Sequence, residues 1–115
     1  MVEEVSSREV YERLDELQVI DIRDQIRFQQ GHVPGAENLP MRELTQRLDE
    51  KEWKDEIVVV CPIGQSSIQA ARLIESYEGV DEDARVASLE GGYDGWTYEL
   101  ESGFGEGESG EDASV

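Results

Sequence analysis

Only one cysteine and one histidine occur in the chain, and only two of its ten basic residues, Lys51 and Lys54, are lysines. A lone cysteine excludes an internal disulfide, a four-cysteine metal site and a Cys-x-x-Cys redox pair, and His32 alone cannot supply a histidine-rich metal cluster. Any sulfur chemistry therefore belongs to one thiol, and no metal or cofactor is expected. No apolar run approaches the roughly 18 residues of a membrane-spanning helix, and no basic-then-apolar leader is present. The chain reads as cytoplasmic, without a membrane partner. At 115 residues it is long enough for one core and too short for two.

Scarce positive charge leaves a formal net charge of −18, from 28 acidic and 10 basic residues. A small soluble domain is usually comfortable at a magnitude of about 2 to 8, and self-repulsion on this scale opposes compaction unless ions screen it. At molar salt the Debye length falls to about 3 Å, so the composition points to a halophile; the alternative is an acidic protein of ordinary salt tolerance. Nucleic acid is an unsuitable partner for such a polyanion.

Alternating patterns organise the chain. Ser6 and Glu9 have capping-box spacing, and Val10, Leu14 and Leu17 share a helical face, which predicts a helix from about Ser7 to Leu17. Val19–Ile22 reads as a strand, followed by a helical turn through Gln30 and a tight loop, Gly31–Ala36. Asn38–Pro40 suggests a brief extended piece, and Met41, Leu44 and Leu48 another helix. Ile57–Val60 is a continuous β-branched run of the kind found in buried parallel strands. Ala70, Leu73, Ile74 and Tyr77 then mark a helix beginning near Ser67. A last strand covers about Arg85–Leu89, followed by a glycine-rich turn and a short helix. Strands alternating with helices predict an α/β domain with a parallel sheet. From Ser102 onward the chain is acidic, glycine-rich and poor in apolar residues, so the folded domain is expected to span 1–101 and a disordered tail 102–115.

The junction between Val60 and Ser67 carries the chemical signal. Cys61 lies in a strand-to-helix loop, where successive backbone N–H groups and the helix dipole can converge on one atom. Such a setting lowers a thiol's pKa from about 8.5 to between about 3.5 and 7.5, and the thiolate is the nucleophile. Gly64 suits a loop that curls around the sulfur. Pro62 favours an extended Cys61 but contributes no N–H. Ile63, Gly64, Gln65, Ser66 and Ser67 are the candidate anion-binding residues; Ser67 is read as the helix cap, and Ser66 as either a cap or a donor to the sulfur. The competing reading is that Cys61 is a small core hydrophobe. Asp21 could pair with Arg23 or orient the loop, although a strand-end carboxylate is more often a turn acceptor. Tyr93 and Trp96 are expected to pack on the sheet.

Three segments together resemble the rhodanese-like sulfurtransferase family in its single-domain form: Val19-Ile20-Asp21-Ile22-Arg23 with Phe28 and Gly31-His32-Val33-Pro34-Gly35-Ala36; Cys61-x-x-Gly64-x-Ser66-Ser67; and Glu90-Gly91-Gly92 with Trp96. The resemblance spans roughly Val5 to Leu100. It implies about five parallel strands with helices on both faces and the cysteine loop at their carboxyl ends. It also implies a ping-pong reaction in which Cys61 takes a sulfane sulfur from thiosulfate or a persulfide and passes it to cyanide, a thiol or a carrier protein. His32 then belongs to a structural segment, and the protein is expected to be a monomer or weak dimer. Many thiosulfate-using members carry a cation in the cysteine loop, where this chain has Pro62, Gln65 and Ser66. A phosphatase or arsenate reductase of related fold would need a longer loop and a closing arginine, and position 67 is serine. A non-catalytic interaction module retaining the fold is the other alternative.

Overall fold

In the strand Glu56–Val60, alternate side chains enter two different cores. The computed structural model describes residues 2–103. Ile57 and Val59 point to one side with Cys61, whereas Val58 and Val60 point to the other, the period-two consequence of a pleated strand covered on both faces. This strand is β4. The others are β1 (Glu3–Val5), β2 (Gln18–Asp21), β3 (Glu37–Asn38) and β5 (Arg85–Leu89). All pair in parallel, in the order β1-β5-β4-β2-β3.

Helices α1 (Ser7–Glu12) and α2 (Gln25–Gln30) bring Val10 and Phe28 to one face; α3 (Leu44–Arg47) and α4 (Ser66–Glu75) bring Leu44, Ala70, Ala71 and Ile74 to the other. The expected α/β architecture is therefore present. Helix α1 starts as its capping box predicts, with the Ser6 hydroxyl accepting from the Glu9 amide. It stops at Glu12 instead of continuing to Leu17, because the chain must already be extended by Gln18, where the buried strand β2 begins. The apolar face at Met41–Leu48 is met by a single α-turn between two 3-10 turns, Met41–Glu43 and Leu48–Glu50. Strand β1 escapes a pattern search: Glu3 and Glu4 are exposed and only Val5 is buried. The stretch after β5 forms a 3-10 turn at Gly92–Gly95. Most of the expected tail, residues 104–115, lies outside the described residues.

Going from β2 to β3 the chain moves toward one edge of the sheet, and going from β4 to β5 it moves toward the other. The adjacent carboxyl ends of β2 and β4 therefore flank the topological switch point, where open parallel sheets form their ligand crevice. At the opposite end of the sheet, Arg85 pairs with Glu3, Glu9 and Glu56, and Arg13 with Glu9, Glu16 and Glu56. These bonds hold the carboxyls of Glu3, Glu9 and Glu56 below the ordinary carboxylate range. Part of the acidic excess is thus neutralised far from the crevice.

Candidate active site

Cys61 follows β4 directly, and the next six residues wrap its sulfur. Its Sγ accepts from the Gly64 amide at 3.0 Å and the Ser67 amide at 3.3 Å, and lies 3.2 Å from Ser67 Oγ. Ser67 Oγ is in turn 2.6 Å from Ser88 Oγ on β5, and both serines are fully buried. With a thiolate as acceptor, the Ser67 hydroxyl donates to sulfur and the Ser88 hydroxyl donates to Ser67. Burial pushes the thiol's pKa up, but the Ser67 hydroxyl and the amides of Ser67, Gly64 and Ile63 together outweigh it, and the net shift is downward.

Ser67 is not the helix cap that its position suggests. Gln65 is the N-cap residue, makes no side-chain capping bond, and leaves Ser67 inside the first turn of α4 with its hydroxyl turned to the sulfur. Gln65, Ser66 and Ile63 are exposed; Ser66, unlike Gln65, lines the depression above Cys61. Gly64 takes φ = 86°, in the left-handed region that curls the loop back over the sulfur. Its amide also faces the turn after β5: a Cβ placed on Gly92 would lie 2.2 Å from the Cys61 carbonyl oxygen and 2.7 Å from the Gly64 nitrogen. Tyr93 and Asp94 donate their amides to the carbonyls of Cys61 and Pro62. The Glu90-Gly91-Gly92 segment is therefore the bed on which the cysteine loop rests, a role that its spacing in sequence does not reveal.

Cys61 itself is only 1% exposed, and it forms part of the floor of a depression of about 160 Å³ lined by Ile22, Arg23, Asp24, Arg27, Met41, Cys61, Pro62 and Ser66. A larger depression of about 670 Å³, near Arg42, Arg47 and Lys51, is lined by no cysteine, serine or threonine. Arg47 and Lys51 there are already paired with Glu43, Glu50 and Glu37.

Behind the smaller depression, Asp21 is both a turn acceptor and an ion-pair partner: it accepts from the Arg23 amide at 2.9 Å and from the guanidinium at 2.8 Å. Its other donor is the Tyr93 hydroxyl at 2.7 Å. The Arg23 guanidinium lies 3.6 Å over the Tyr93 ring and donates to the Gly31 carbonyl. Burial, with the neighbouring Asp21 carboxylate, raises the Tyr93 phenol far above its ordinary pKa, so it stays a donor. Tyr93 thus ties the β2 loop to the bed of the cysteine loop. Trp96 packs in the core with Tyr11 and Tyr98 around it. His32 is buried, stacked on Phe28, with Nδ1 donating to the Phe28 carbonyl, and it takes no part in the cysteine loop.

A cysteine cradled between β4 and α4 is matched by wider similarity. A family model described as the rhodanese-like domain matches residues 6–99. The chain belongs to the rhodanese-like family. Among curated relatives, a thiosulfate sulfurtransferase GlpE of Pseudoalteromonas translucida is 35% identical over 94 residues, covering 80% of this chain and 86% of the relative. Another GlpE, from Shewanella oneidensis, is 38% identical over 80 residues, covering 70% and 75%. Of the solved structures, a rhodanese-related protein of Thermoplasma volcanium superposes with a TM-score of 0.74 at 21% identity, covering 85% of this chain and 96% of that one. A thiosulfate sulfurtransferase of Pseudomonas aeruginosa gives 0.77 at 20% identity over 90% of this chain and 20% of that one. At those identities the two structures speak for the fold.

The hydroxyl of Ser67 has a measurable consequence. Ser67→Ala removes one of the donors that lower the thiol's pKa while burial continues to raise it, so ionisation moves to higher pH. The rise of the iodoacetamide alkylation rate with pH should shift upward in this variant. An unmoved profile would mean the hydroxyl does not act on the sulfur.

Proposed function

We propose that Cys61 carries sulfane sulfur as a persulfide, taking it from thiosulfate or another persulfide and giving it to a thiophilic acceptor. The chain is a sulfurtransferase of the rhodanese-like family, in keeping with relatives named thiosulfate sulfurtransferase. The observation that carries the finer reading is the cradle on Sγ: the amides of Gly64 and Ser67 donate to it, and the Ser67 hydroxyl, 3.2 Å away, is placed to donate once the sulfur is a thiolate.

The steps follow from that geometry. The thiolate attacks the outer sulfur of thiosulfate; a new S–S bond forms, the S–S bond to the sulfonate breaks, and its electron pair leaves with sulfite. Cys61 then bears a persulfide anion, whose charge the same amides and the helix start can hold. Attack on its terminal sulfur by cyanide or an acceptor thiolate returns the Cys61 thiolate. The cradle lowers that thiol's pKa, and a thiol that ionises by itself reacts without a general base. The anion-binding role is assigned to the Ile63–Ser67 loop, and Asp21 and Arg23 hold the β2 loop against it. The location is read as cytoplasmic, the oligomeric state as monomer or weak dimer, and the acidic surface as an adaptation to high salt, none of which the mechanism requires.

Mass spectrometry after incubation with thiosulfate in molar KCl tests this reading. One added sulfur atom, removed by cyanide with release of thiocyanate, is the expected result. No adduct would favour a non-catalytic module, and hydrolysis of an aryl phosphate would favour a phosphatase.

A further inference from the structure

Burying a hydroxyl is unfavourable unless its hydrogen finds an acceptor, and among the described residues the two fully buried hydroxyls, those of Ser67 and Ser88, sit together. Ser88 belongs to β5, opposite Val59 of β4 and on the same face as Val86. A core position on this face asks only for an apolar side chain, yet it holds a serine. Ser88 Oγ has one hydrogen-bond partner among the described residues, Ser67 Oγ at 2.6 Å, and Ser67 Oγ has two, Ser88 Oγ and Cys61 Sγ at 3.2 Å. Each hydroxyl carries one hydrogen. If Ser67 donates to Ser88, the Ser88 hydrogen is left in the core without an acceptor. If Ser88 donates to Ser67, the Ser67 hydrogen can point at the sulfur, and both hydrogens are used. Only the second direction satisfies the pair, and it ends on Cys61, where a thiolate is the stronger acceptor.

We propose that Ser88 is a positioning residue for Cys61: it sets the direction of a two-hydroxyl relay so that Ser67 donates to the sulfur and the thiolate is favoured over the thiol. Ser88 does not touch the sulfur and acts through Ser67 alone. A bond donated into Ser67 Oγ polarises that hydroxyl and strengthens the bond it gives. A neutral thiol that donates to Ser67 strands one of the two hydroxyl hydrogens, so the penalty of the orphan falls on the protonated state. In sulfur transfer the same bond meets the electron pair that returns to Sγ when an acceptor takes the terminal sulfur. That part rests on the transfer reading above; the relay at the resting thiol does not. The charged side chains around Cys61 are Arg23, Asp24 and Arg27 in the depression above it, and the turn after β5 adds Glu90 and Asp94, both exposed. None of them belongs to the relay.

The pH dependence of iodoacetamide alkylation in Ser88→Ala, Ser67→Ala and the double variant tests the relay, each protein in molar KCl with circular dichroism confirming its fold. Below the ionisation midpoint Ser88→Ala should react about two- to threefold more slowly than the wild type, the loss of relay polarisation on one charge-assisted bond. Above the midpoint it should catch up, because every thiol is then ionised. Since Ser88 works through Ser67, the double variant should follow Ser67→Ala with no further shift. An unmoved profile in Ser88→Ala, a deficit of equal size at every pH, or a further shift in the double variant as large as that in the wild-type background would overturn the relay. Thiosulfate loading of the same proteins is read separately by mass. The expected alkylation pattern in a protein that never gains sulfur would sustain the relay and reject the transfer reading.

Discussion

Cys61→Ser should lower sulfur transfer by at least about 10⁴-fold, or about 5 kcal/mol of activation free energy, and leave the fold in place. Serine is close to cysteine in shape, and its hydroxyl can accept the Gly64 and Ser67 amides that now reach the sulfur. What is lost is the electronic character of the atom. A hydroxyl does not ionise near neutral pH even with two amides and a neighbouring hydroxyl aimed at it, and an oxygen cannot form the S–S bond that stores the transferred atom. The expected pattern is therefore unaltered circular dichroism and unfolding midpoint, no sulfur adduct, and turnover at background. Residual transfer above about one per cent of wild type would place the reaction on another group. No second cysteine is present to provide one.

Gly92→Ala should be the most damaging single-methyl substitution near the site, costing about 3 to 5 kcal/mol. Two effects combine. Gly92 sits at φ = 57°, where a side chain costs about 1 to 2 kcal/mol, and the added carbon would lie 2.2 Å from the Cys61 carbonyl oxygen and 2.8 Å from the Ile63 nitrogen. All of the atoms it meets are backbone, so relief requires the cysteine loop itself to move, and the amide cradle moves with it. Gly91→Ala is the matched control. It has φ = 76°, but its added carbon would come no closer than 3.6 Å to any atom, so it should lose only the backbone term, about 1 to 2 kcal/mol. Urea unfolding in molar KCl gives the stability difference, and the iodoacetamide rate shows whether Cys61 reacts as it does in the wild type. Equal midpoints for the two variants would mean that the turn after β5 does not support the loop.

Much of this molecule is legible in local patterns because local physics writes them. The run Ile57–Val60 marks a strand buried on both faces, Ser6 and Glu9 mark a helix start, and the loop Cys61–Ser67 marks a strand-to-helix turn around a thiol. Readings fail where an assignment depends on a distant segment. Strand β1 exists because Glu3–Val5 has the edge of β5 to pair with, not because its own three residues favour extension. Ser67 resembles a cap in sequence, yet the curl at Gly64 shifts the helix start and turns its hydroxyl onto sulfur.

The sequence by itself determined the alternation of strands and helices, the single cysteine and its place in a strand-to-helix loop, and the family, since periodicity, composition and motif spacing are properties of neighbouring residues. The tertiary structure alone decided that Ser88 and Ser67 line up behind the sulfur and that Gly91 and Gly92 bed the cysteine loop. Those relations join groups 20 or more residues apart across β4 and β5. Nothing in the spacing of such residues reports which carboxyl ends a parallel sheet will bring together.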